Sequence, residues 1–212
     1  MTDRRPLVFI VDDDQDIRTS LLRALGQRGY EVKAYDSASS FLTAYDGSRA
    51  GCVILDYGMP EMNGLELQVI LNNKNWPLAV IFITGHGGVP ESVQAMKGGA
   101  VDFLEKPFRQ SDLVERIDVA LELAESRHQA SASQNAIRAR FERLTEREAE
   151  IVSHVLANPA EVSSKEIGLT LGISPRTVDH HRARILEKLE VRSLVELVRL
   201  AATLEGEDPA GN

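Results

Sequence analysis

The chain has 212 residues and a formal net charge of −8, and its composition excludes several classes of protein. Hydrophobic residues make up 43% and charged residues 26%, which is ordinary for a globular protein and does not fit a disordered or fibrous chain. With Cys52 as the one cysteine, an internal disulfide and a cysteine-based zinc site are excluded, and a reducing compartment is expected. The longest apolar runs are far shorter than the roughly 20 residues of a membrane span, which predicts a soluble, cytoplasmic protein.

Charge is unevenly distributed along the chain. Residues 1–125 contain 12 Lys and Arg against 19 Asp and Glu, a net charge of −7. Residues 126–212 contain 12 against 13, and three of these acidic residues lie within the last eight positions. Without those three the second part has a net charge of +2, so the asymmetry favours two domains with different functions.

The first part repeats a unit in which an apolar run is followed by a helical pattern. The apolar runs lie at residues 7–11, 31–35, 52–55, 78–83 and 101–104. Between them apolar residues recur at helical spacing, as at Ile17, Leu21 and Leu25, which predicts helices packed on a sheet. The predicted fold is an α/β doubly wound (βα)5 sheet with strand order 2-1-3-4-5.

The second part shows only helical patterns and is predicted to form a small all-α domain. Thr145 and Glu148 have the spacing of a capping box, and a second helix begins after Ser163 or Ser164. Ser174 precedes a third helix as its N-cap. Several short helices in this order outline a helix-turn-helix domain.

The predicted boundaries follow from these patterns. Residues 1–125 form the α/β domain and 126–142 a helical linker, which is either continuous with the preceding helix or broken near residues 131–133. Residues 143–205 form the helix-turn-helix domain, and 206–212 form an acidic tail.

Carboxylates, a hydroxyl and an ammonium follow successive predicted strands at the ends that a parallel sheet brings together. They are Asp12 and Asp13 after the first strand, Asp56 after the third, Thr84 after the fourth and Lys106 after the fifth. Converging carboxylates are costly unless a cation such as Mg²⁺, or a lysine, offsets their charge. This set predicts a phosphoryl-transfer site with a carboxylate nucleophile, whereas each residue alone also fits a helix cap, a turn or the solvated surface.

These residues resemble the receiver domain of response regulators over about residues 5–125. The matching motifs are the Asp12-Asp13 pair, Leu55-Asp56-Tyr57-Gly58-Met59-Pro60, Thr84 and Lys106-Pro107-Phe108. The resemblance implies that Asp56 is the phospho-acceptor and that Asp12 and Asp13 hold Mg²⁺ together with it. The backbone carbonyl of Gly58 is implied as a further metal ligand.

The same resemblance implies roles for residues on the fourth and fifth strands. Thr84 and Lys106 are expected to contact the phosphoryl group, and Thr84 also to take part in switching. Phe103 falls at the aromatic switch position of the family, although it fits a core aromatic equally well. His86 is either a loop residue or a neighbour of the pocket mouth.

The third helix of the second domain presents a polar face that fits a DNA major groove. Helical spacing turns Val178, Ile185 and Leu189 inward. The positions left facing outward are Arg176, Asp179, His180, Ala183 and Arg184. Such a face contacts base edges through its N-terminal half, while Arg176 and Lys188 suit phosphates. A solvated amphipathic helix is the alternative interpretation of this pattern.

The second domain is similar to the LuxR/FixJ-type output domain over about residues 143–204. The matching motifs are Leu144-Thr145-Glu146-Arg147-Glu148, Ser164-Lys165-Glu166-Ile167, Ile173-Ser174-Pro175-Arg176-Thr177-Val178 and Leu186-Glu187-Lys188-Leu189. The resemblance implies base contacts by Asp179, His180 and Ala183, and phosphate contacts by Thr177 and Lys188. It also implies that the helix over 194–204 pairs two output domains. The stretch 156–163 is longer than the usual turn of the family.

Together the two parts resemble response regulators of the FixJ/NarL type. The resemblance implies a sensor histidine kinase that phosphorylates Asp56 with Mg²⁺, dimerisation, and binding of the homodimer to a paired promoter site, with no membrane partner. Phosphorylation and dephosphorylation at Asp56 are the only chemistry expected, so the chain is predicted not to be an enzyme. The alternatives are a Mg²⁺-dependent small-molecule phosphohydrolase and a regulator that acts through protein contacts without DNA.

Overall fold

The computed structural model describes residues 6–85, 89–159 and 162–205 and divides the chain into two compact units, 1–129 and 130–212. The first unit contains a β-sheet with helices, and the described part of the second contains helices only. Across the described residues no helix is both long and apolar enough to cross a lipid bilayer. His86 and the predicted acidic tail lie outside the described residues.

The first unit is built on a parallel sheet of five strands. The strands are β1 (Leu7–Val11), β2 (Glu31–Tyr35), β3 (Gly51–Asp56), β4 (Leu78–Thr84) and β5 (Asp102–Glu105). Their order in the sheet is β2-β1-β3-β4-β5, which confirms the predicted topology. Because the order reverses between β1 and β3, a crevice is expected at the carboxyl ends of these two strands.

Four helices of this unit lie between the strands along the chain. They are α1 (Gln15–Gly26), α2 (Ala38–Ala44), α3 (Gly64–Asn73) and α4 (Val89–Lys97). Asp14 caps α1, since its Oδ1 accepts the backbone N–H groups of Asp16 and Ile17. Asn63 and Glu66 form a capping box at the start of α3. These caps satisfy amide groups that the first turn of a helix leaves without partners.

Apolar side chains fill both faces of the sheet. Phe9 and Phe82 belong to the core on one face, and Ile10 and Ile81 belong to the core on the other. Every residue of β1, β3 and β4 is buried, whereas β2 at the edge is mostly half-buried. Burial on both faces explains why β1 and β4 are continuous apolar runs in the sequence.

The start of α3 packs closely against the end of β3. A Cβ atom at Gly64 would lie 2.5 Å from the carbonyl oxygen of Asp56 and 2.8 Å from a ring carbon of Phe82. A side chain at this position would therefore displace the backbone of Asp56. Glycine keeps that backbone in place at the point where the crevice opens.

Helix α5 (Gln110–Glu142) is continuous, so the linker is not broken near residues 131–133. Leu113, Ile117, Ala120 and Ala124 are its buried residues, and all of them lie in its first half. The following stretch from residue 129 to residue 136 is exposed on all sides. The helix therefore packs on the sheet through its first half and is solvated over residues 129–136.

The second unit contains four helices in its described ranges in addition to the end of α5. They are α6 (Glu146–Ala157), α7 (Ser164–Leu171), α8 (Pro175–Leu189) and α9 (Leu194–Glu205). Thr145 and Ser163 each form a capping box, and Ser174 caps α8 with Pro175 at its first position. Gly172 ends α7 with a φ of +66°, a backbone conformation that glycine adopts without strain. Of the longer turn predicted at 156–163, residues 160 and 161 are outside the described ranges.

A separate apolar core holds these helices together. Its buried members come from all four helices and include Ile151, Ile167, Val178 and Leu197. Val178, Ile185 and Leu189 of α8 are all fully buried, which confirms the predicted inward face of that helix. On the other side of α8, Asp179, His180 and Ala183 are exposed.

Candidate functional site

Two carboxylates meet at the carboxyl ends of β1 and β3. The register pairs Val11 with Leu55, so Asp12 and Asp56 follow at neighbouring positions of adjacent parallel strands. The amide of Asp12 also donates to Tyr35 O at 3.2 Å, which continues the strand pairing by one residue. Asp12 is 0% exposed and Asp56 is 7% exposed. The structure therefore buries both groups in the predicted crevice.

Lys106 bridges these two carboxylates. Its Nζ lies 2.9 Å from Asp12 Oδ2 and 2.7 Å from Asp56 Oδ1. The backbone N–H of Lys106 donates to the carbonyl of Thr84 at 2.7 Å, which holds the chain after β5 against the end of β4. Residues from three distant parts of the sequence thus form one ionic cluster, which we call the Asp12–Lys106–Asp56 cluster.

The other carboxylate oxygens of the cluster accept backbone amides. Asp12 Oδ1 accepts the N–H of Asp14 at 2.8 Å, and Asp56 Oδ2 accepts the N–H of Gly58 at 2.7 Å. Each of the four carboxylate oxygens therefore has a donor, and the two side chains are held in fixed orientations. Such preorganisation suits a group that must react in one geometry.

The charges of the cluster do not balance, because one ammonium serves two carboxylates. Burial raises the pKa of Asp12, and this effect outweighs the bonds from Lys106 and the Asp14 amide. Burial lowers the pKa of Lys106, but its bonds to Asp56 and Asp12 outweigh burial and raise that pKa. The ammonium therefore stays charged, and burial makes the second negative charge of the pair costly unless a further cation offsets it.

Thr84 and Phe103 lie on β4 and β5, the two strands that precede Lys106 along the chain. Thr84 is buried at the last position of β4. Phe103 is half-buried, and its ring centroid lies 6.3 Å from that of Phe82. Phe103 thus packs against the core of the unit, and its role as a switch remains a prediction.

The two remaining predicted metal ligands are Asp13 and the backbone carbonyl of Gly58. Asp13 is exposed, unlike its neighbour Asp12, and Gly58 contributes its amide to Asp56. Within residues 6–85, 89–159 and 162–205, no group of three or more His, Cys, Asp or Glu side chains could hold a metal ion. The structure therefore brings Asp12 and Asp56 together and leaves Asp13 outside a three-carboxylate site.

Arg18 is a residue near the cluster that the sequence analysis did not single out. Its Nη1 donates to the backbone carbonyl of Asp12 at 2.7 Å. Arg18 follows the cap Asp14 by four positions, so both lie on the same side of α1. That spacing is the signal in the sequence, although it does not show which acceptor the guanidinium finds.

The predicted DNA-contacting residues lie along the outward face of α8. Its exposed members are Arg176, Thr177, Asp179, His180, Ala183 and Arg184, while Lys188 is half-buried. Thr177 Oγ1 lies 2.7 Å from the hydroxyl of the cap residue Ser174. Asp179 Oδ1 accepts a hydrogen bond from Ser164 of α7. The face is exposed and mostly polar, which suits major-groove binding, and the individual DNA contacts remain predictions.

The half-buried Lys188 forms an ion pair with the buried Glu148, which connects α6 to α8. Glu148 is 1% exposed, and its Oε2 lies 2.6 Å from Lys188 Nζ. The same oxygen accepts the N–H of Thr145 at 2.8 Å. Burial raises the pKa of Glu148, but the bonds from Lys188 and Thr145 outweigh burial and hold that pKa below its usual range. A contact of Lys188 with phosphate therefore competes with Glu148.

We expect Glu148→Ala to lower the free energy of unfolding of the second unit by about 2 kcal/mol, because it removes a charged hydrogen bond to Lys188 and one bond of a capping box. The lowered pKa means that the stabilisation is present above the ordinary value of 4.5 and is lost as pH falls through the folded-state pKa. Calorimetry of the full chain between neutral and acidic pH measures both effects. Glu150→Ala is the control, since the exposed pair of Glu150 with Arg147 contributes about 1 kcal/mol or less. Equal losses in the two variants would contradict this account.

The fold and the acidic crevice define a receiver domain, followed by a helix-turn-helix domain. Residues 8–118 match the family described as "Response regulator receiver domain", and residues 142–201 match "Bacterial regulatory proteins, luxR family". The chain belongs to the family of response regulators that join a receiver domain to a LuxR-type DNA-binding domain. Its relatives include transcriptional regulators, which agrees with the prediction of a regulator in place of an enzyme.

Similar proteins match this chain over nearly its whole length. The transcriptional regulatory protein FixJ of Rhizobium meliloti (strain 1021) is 42% identical over 92% of this chain and 94% of the relative. The response regulator protein TodT of Pseudomonas putida is 38% identical over 97% of this chain and 89% of the relative. The solved structure of the response regulator StyR has a TM-score of 0.80 at 40% identity and covers 93% of this chain and 98% of StyR.

Proposed function

We propose that the chain is a transcriptional regulator whose DNA binding is controlled by phosphorylation of Asp56. The observation that carries this proposal is the Asp12–Lys106–Asp56 cluster, a buried and preorganised carboxylate pair with one ammonium. We assign residues 1–125 to the receiver, 126–142 to the linker and 143–205 to the DNA-binding domain, with 206–212 as an acidic tail. A regulator of promoters acts where the chromosome lies, so we place it in the cytoplasm.

The cluster supports a phosphoryl-acceptor role for Asp56. Its carboxylate is the nucleophile that attacks the phosphorus atom of a phosphohistidine on a sensor histidine kinase. The new O–P bond of the acyl phosphate forms as the P–N bond breaks, and the kinase imidazole is the leaving group. Lys106, already at 2.7 Å from Asp56, neutralises the charge that the phosphoryl group brings. The buried Thr84 on the neighbouring strand is the proposed hydroxyl partner of that group. The phosphoryl oxygens draw Thr84 and Lys106 towards them, and this movement is the proposed conformational switch of the receiver.

The residues of the crevice fit Mg²⁺. Two buried carboxylates with one ammonium leave a negative charge uncompensated, and Mg²⁺ commonly binds proteins through one or two carboxylates and water. Asp12 and Asp56 are the proposed main ligands, and the carbonyl of Gly58 is a proposed further ligand. Asp13 is exposed, so its proposed part in the set requires its carboxylate to turn towards the ion. When bound, Mg²⁺ offsets the charge of the phosphoryl oxygens.

Removal of Mg²⁺ is expected to stop phosphorylation. Incubation with acetyl phosphate and EDTA should leave the intact protein unlabelled by mass spectrometry, and added Mg²⁺ should restore the label. Asp12→Asn should require far more Mg²⁺ for the same labelling, because it removes a buried carboxylate ligand. Asp46→Asn is the control, since Asp46 is exposed and its carboxylate bonds only locally with Ser48. Labelling that persists in EDTA would contradict the Mg²⁺ assignment.

Phosphorylation is proposed to shift the chain to a homodimer that binds a paired site on promoter DNA. Two linked output domains gain affinity over one, because the second half-site is bound intramolecularly. With acetyl phosphate and Mg²⁺ added, the molecular mass measured by small-angle scattering should rise towards that of a dimer. The mass of Asp56→Asn should stay at that of the untreated protein. Fully phosphorylated protein that keeps the untreated mass would overturn this step.

A further inference from the structure

A hydrogen-bond chain joins α7 to the outward face of α8. The hydroxyl of Ser164 bonds Asp179 Oδ1, and Nη1 of Arg182 lies 3.0 Å from Ser164 Oγ. The same Arg182 nitrogen donates to the carbonyl of Val162 at 3.2 Å. We call these three side chains the Ser164 link. It holds an acidic residue of the predicted recognition helix to the helix before it.

The direction of the hydrogen bonds in the Ser164 link is fixed by chemistry. A guanidinium only donates and an ionised carboxylate only accepts. The hydroxyl of Ser164 therefore accepts from Arg182 and gives its one proton to Asp179. This arrangement restrains the rotation of the Asp179 side chain, although the residue is exposed.

The helix cap and the core contact next to this link are made by other residues. Ser163, not Ser164, is the N-cap of α7 and forms its capping box with Glu166. Asp179 is exposed and its neighbour Val178 supplies the buried contact of that turn. Ser164 and Arg182 are half-buried, but Asp179 is exposed, so the bond of Ser164 to Asp179 adds little to stability. Another consequence of holding Asp179 is therefore the relevant one.

We propose that Ser164 is a positioning residue that holds Asp179 as a fixed hydrogen-bond acceptor in the major groove. This inference rests on the proposed function as a DNA-binding regulator. An acceptor-only side chain can pair with an exocyclic amino group, which is N4 of cytosine or N6 of adenine. Guanine and thymine present only acceptors or a methyl group at the corresponding positions, so a restrained carboxylate disfavours them. Because its rotamer is set before binding, Asp179 loses less conformational entropy when it meets the base.

The test measures base preference at each position of the DNA site. The full-length protein, treated with acetyl phosphate and Mg²⁺, selects sites from a random duplex library. We compare Ser164→Ala, Asp179→Ala and the double variant, with Ser153→Ala as the control because Ser153 is an exposed serine of α6 outside the link. Thermal unfolding of each variant measures any structural effect.

Both single variants should lose discrimination at the same base pair of each half-site, by about fivefold or more. The double variant should resemble Asp179→Ala, since residues that act as a unit are not additive. Ser153→Ala should select the wild-type sequence, and the melting temperature of Ser164→Ala should stay close to that of the wild type.

Three other results would overturn the inference. The first is unchanged preference in Ser164→Ala while Asp179→Ala loses it. The second is a Ser164→Ala variant that unfolds earlier and weakens on all sequences equally, which indicates a structural role. The third is unchanged preference in Asp179→Ala. If the wild-type protein itself selects no sequence, the proposed function fails together with the inference, and this result is distinct from the other three.

Discussion

Asp56→Asn is expected to take up no phosphoryl group from acetyl phosphate, whereas the wild-type protein becomes labelled in the presence of Mg²⁺. The asparagine amide keeps the size of the side chain and can still accept the Gly58 amide bond. It lacks the anionic oxygen that attacks phosphorus, so the nucleophile is lost. Mass spectrometry of the intact protein, with labelled and unlabelled forms counted over time, measures the effect.

Asp14→Asn is the matched control for this experiment. Asp14 lies two residues from Asp12 and caps α1 through its Oδ1. Asparagine is an equally good N-cap, so the substitution removes a neighbouring negative charge without loss of the helix start. It should be labelled at the wild-type rate. Normal labelling of Asp56→Asn, or equal loss in Asp14→Asn, would refute Asp56 as the acceptor.

The phosphorylated protein is expected to bind promoter DNA with a steep dependence on salt. A dimer that neutralises about 6 to 10 phosphates loses about 10³- to 10⁵-fold in affinity between about 50 and 200 mM salt. Arg176, exposed in the first turn of α8, is a proposed phosphate contact. Arg176→Ala should therefore weaken binding to all sequences and reduce the slope of log K against log salt by about 1 per protomer. Fluorescence anisotropy across a salt series measures both quantities.

Arg23→Ala controls for the change in net charge, because Arg23 is an exposed arginine on α1 of the receiver. The slope of log K against log salt for Arg23→Ala should equal that of the wild-type protein. A flat salt dependence for the wild-type protein would contradict direct contact with the DNA backbone. An equal loss in Arg23→Ala would show a general effect of charge and would remove Arg176 from the interface.

The sheet and its acidic crevice were predictable because parallel strands place their carboxyl ends together. Apolar runs located β1 and β2 at their observed bounds and the other strands within one or two residues. Once the order was assumed, Asp12, Asp56 and Lys106 had to end at one edge, and the structure places them within hydrogen-bonding distance. The capping residues Thr145 and Ser174 were equally local signals, since a cap acts on amides two or three positions away.

In the second unit, contacts between side chains that are distant in sequence were not predictable. The Glu148–Lys188 pair spans 40 residues, and the bond of Ser164 to Asp179 spans 15. Taken alone, each of these four residues is explained more simply by the sequence, as a capping residue or as part of a polar helix face. The sequence also left open whether the linker is broken, because a polar helix without Gly or Pro fits both forms.

By itself, the sequence determined the alternation of strands and helices, the second helical domain, and the edge of the sheet where the charged groups gather. The tertiary structure alone decided that Asp12 is buried while the adjacent Asp13 is exposed, and that one ammonium bonds both Asp12 and Asp56. Periodicity and helix caps depend on residues that are close together along the chain, so the sequence shows them. Asp12 and Asp13 are successive residues of an extended segment, so their side chains point in opposite directions. Which of them meets a partner depends on where distant strands and helices pack.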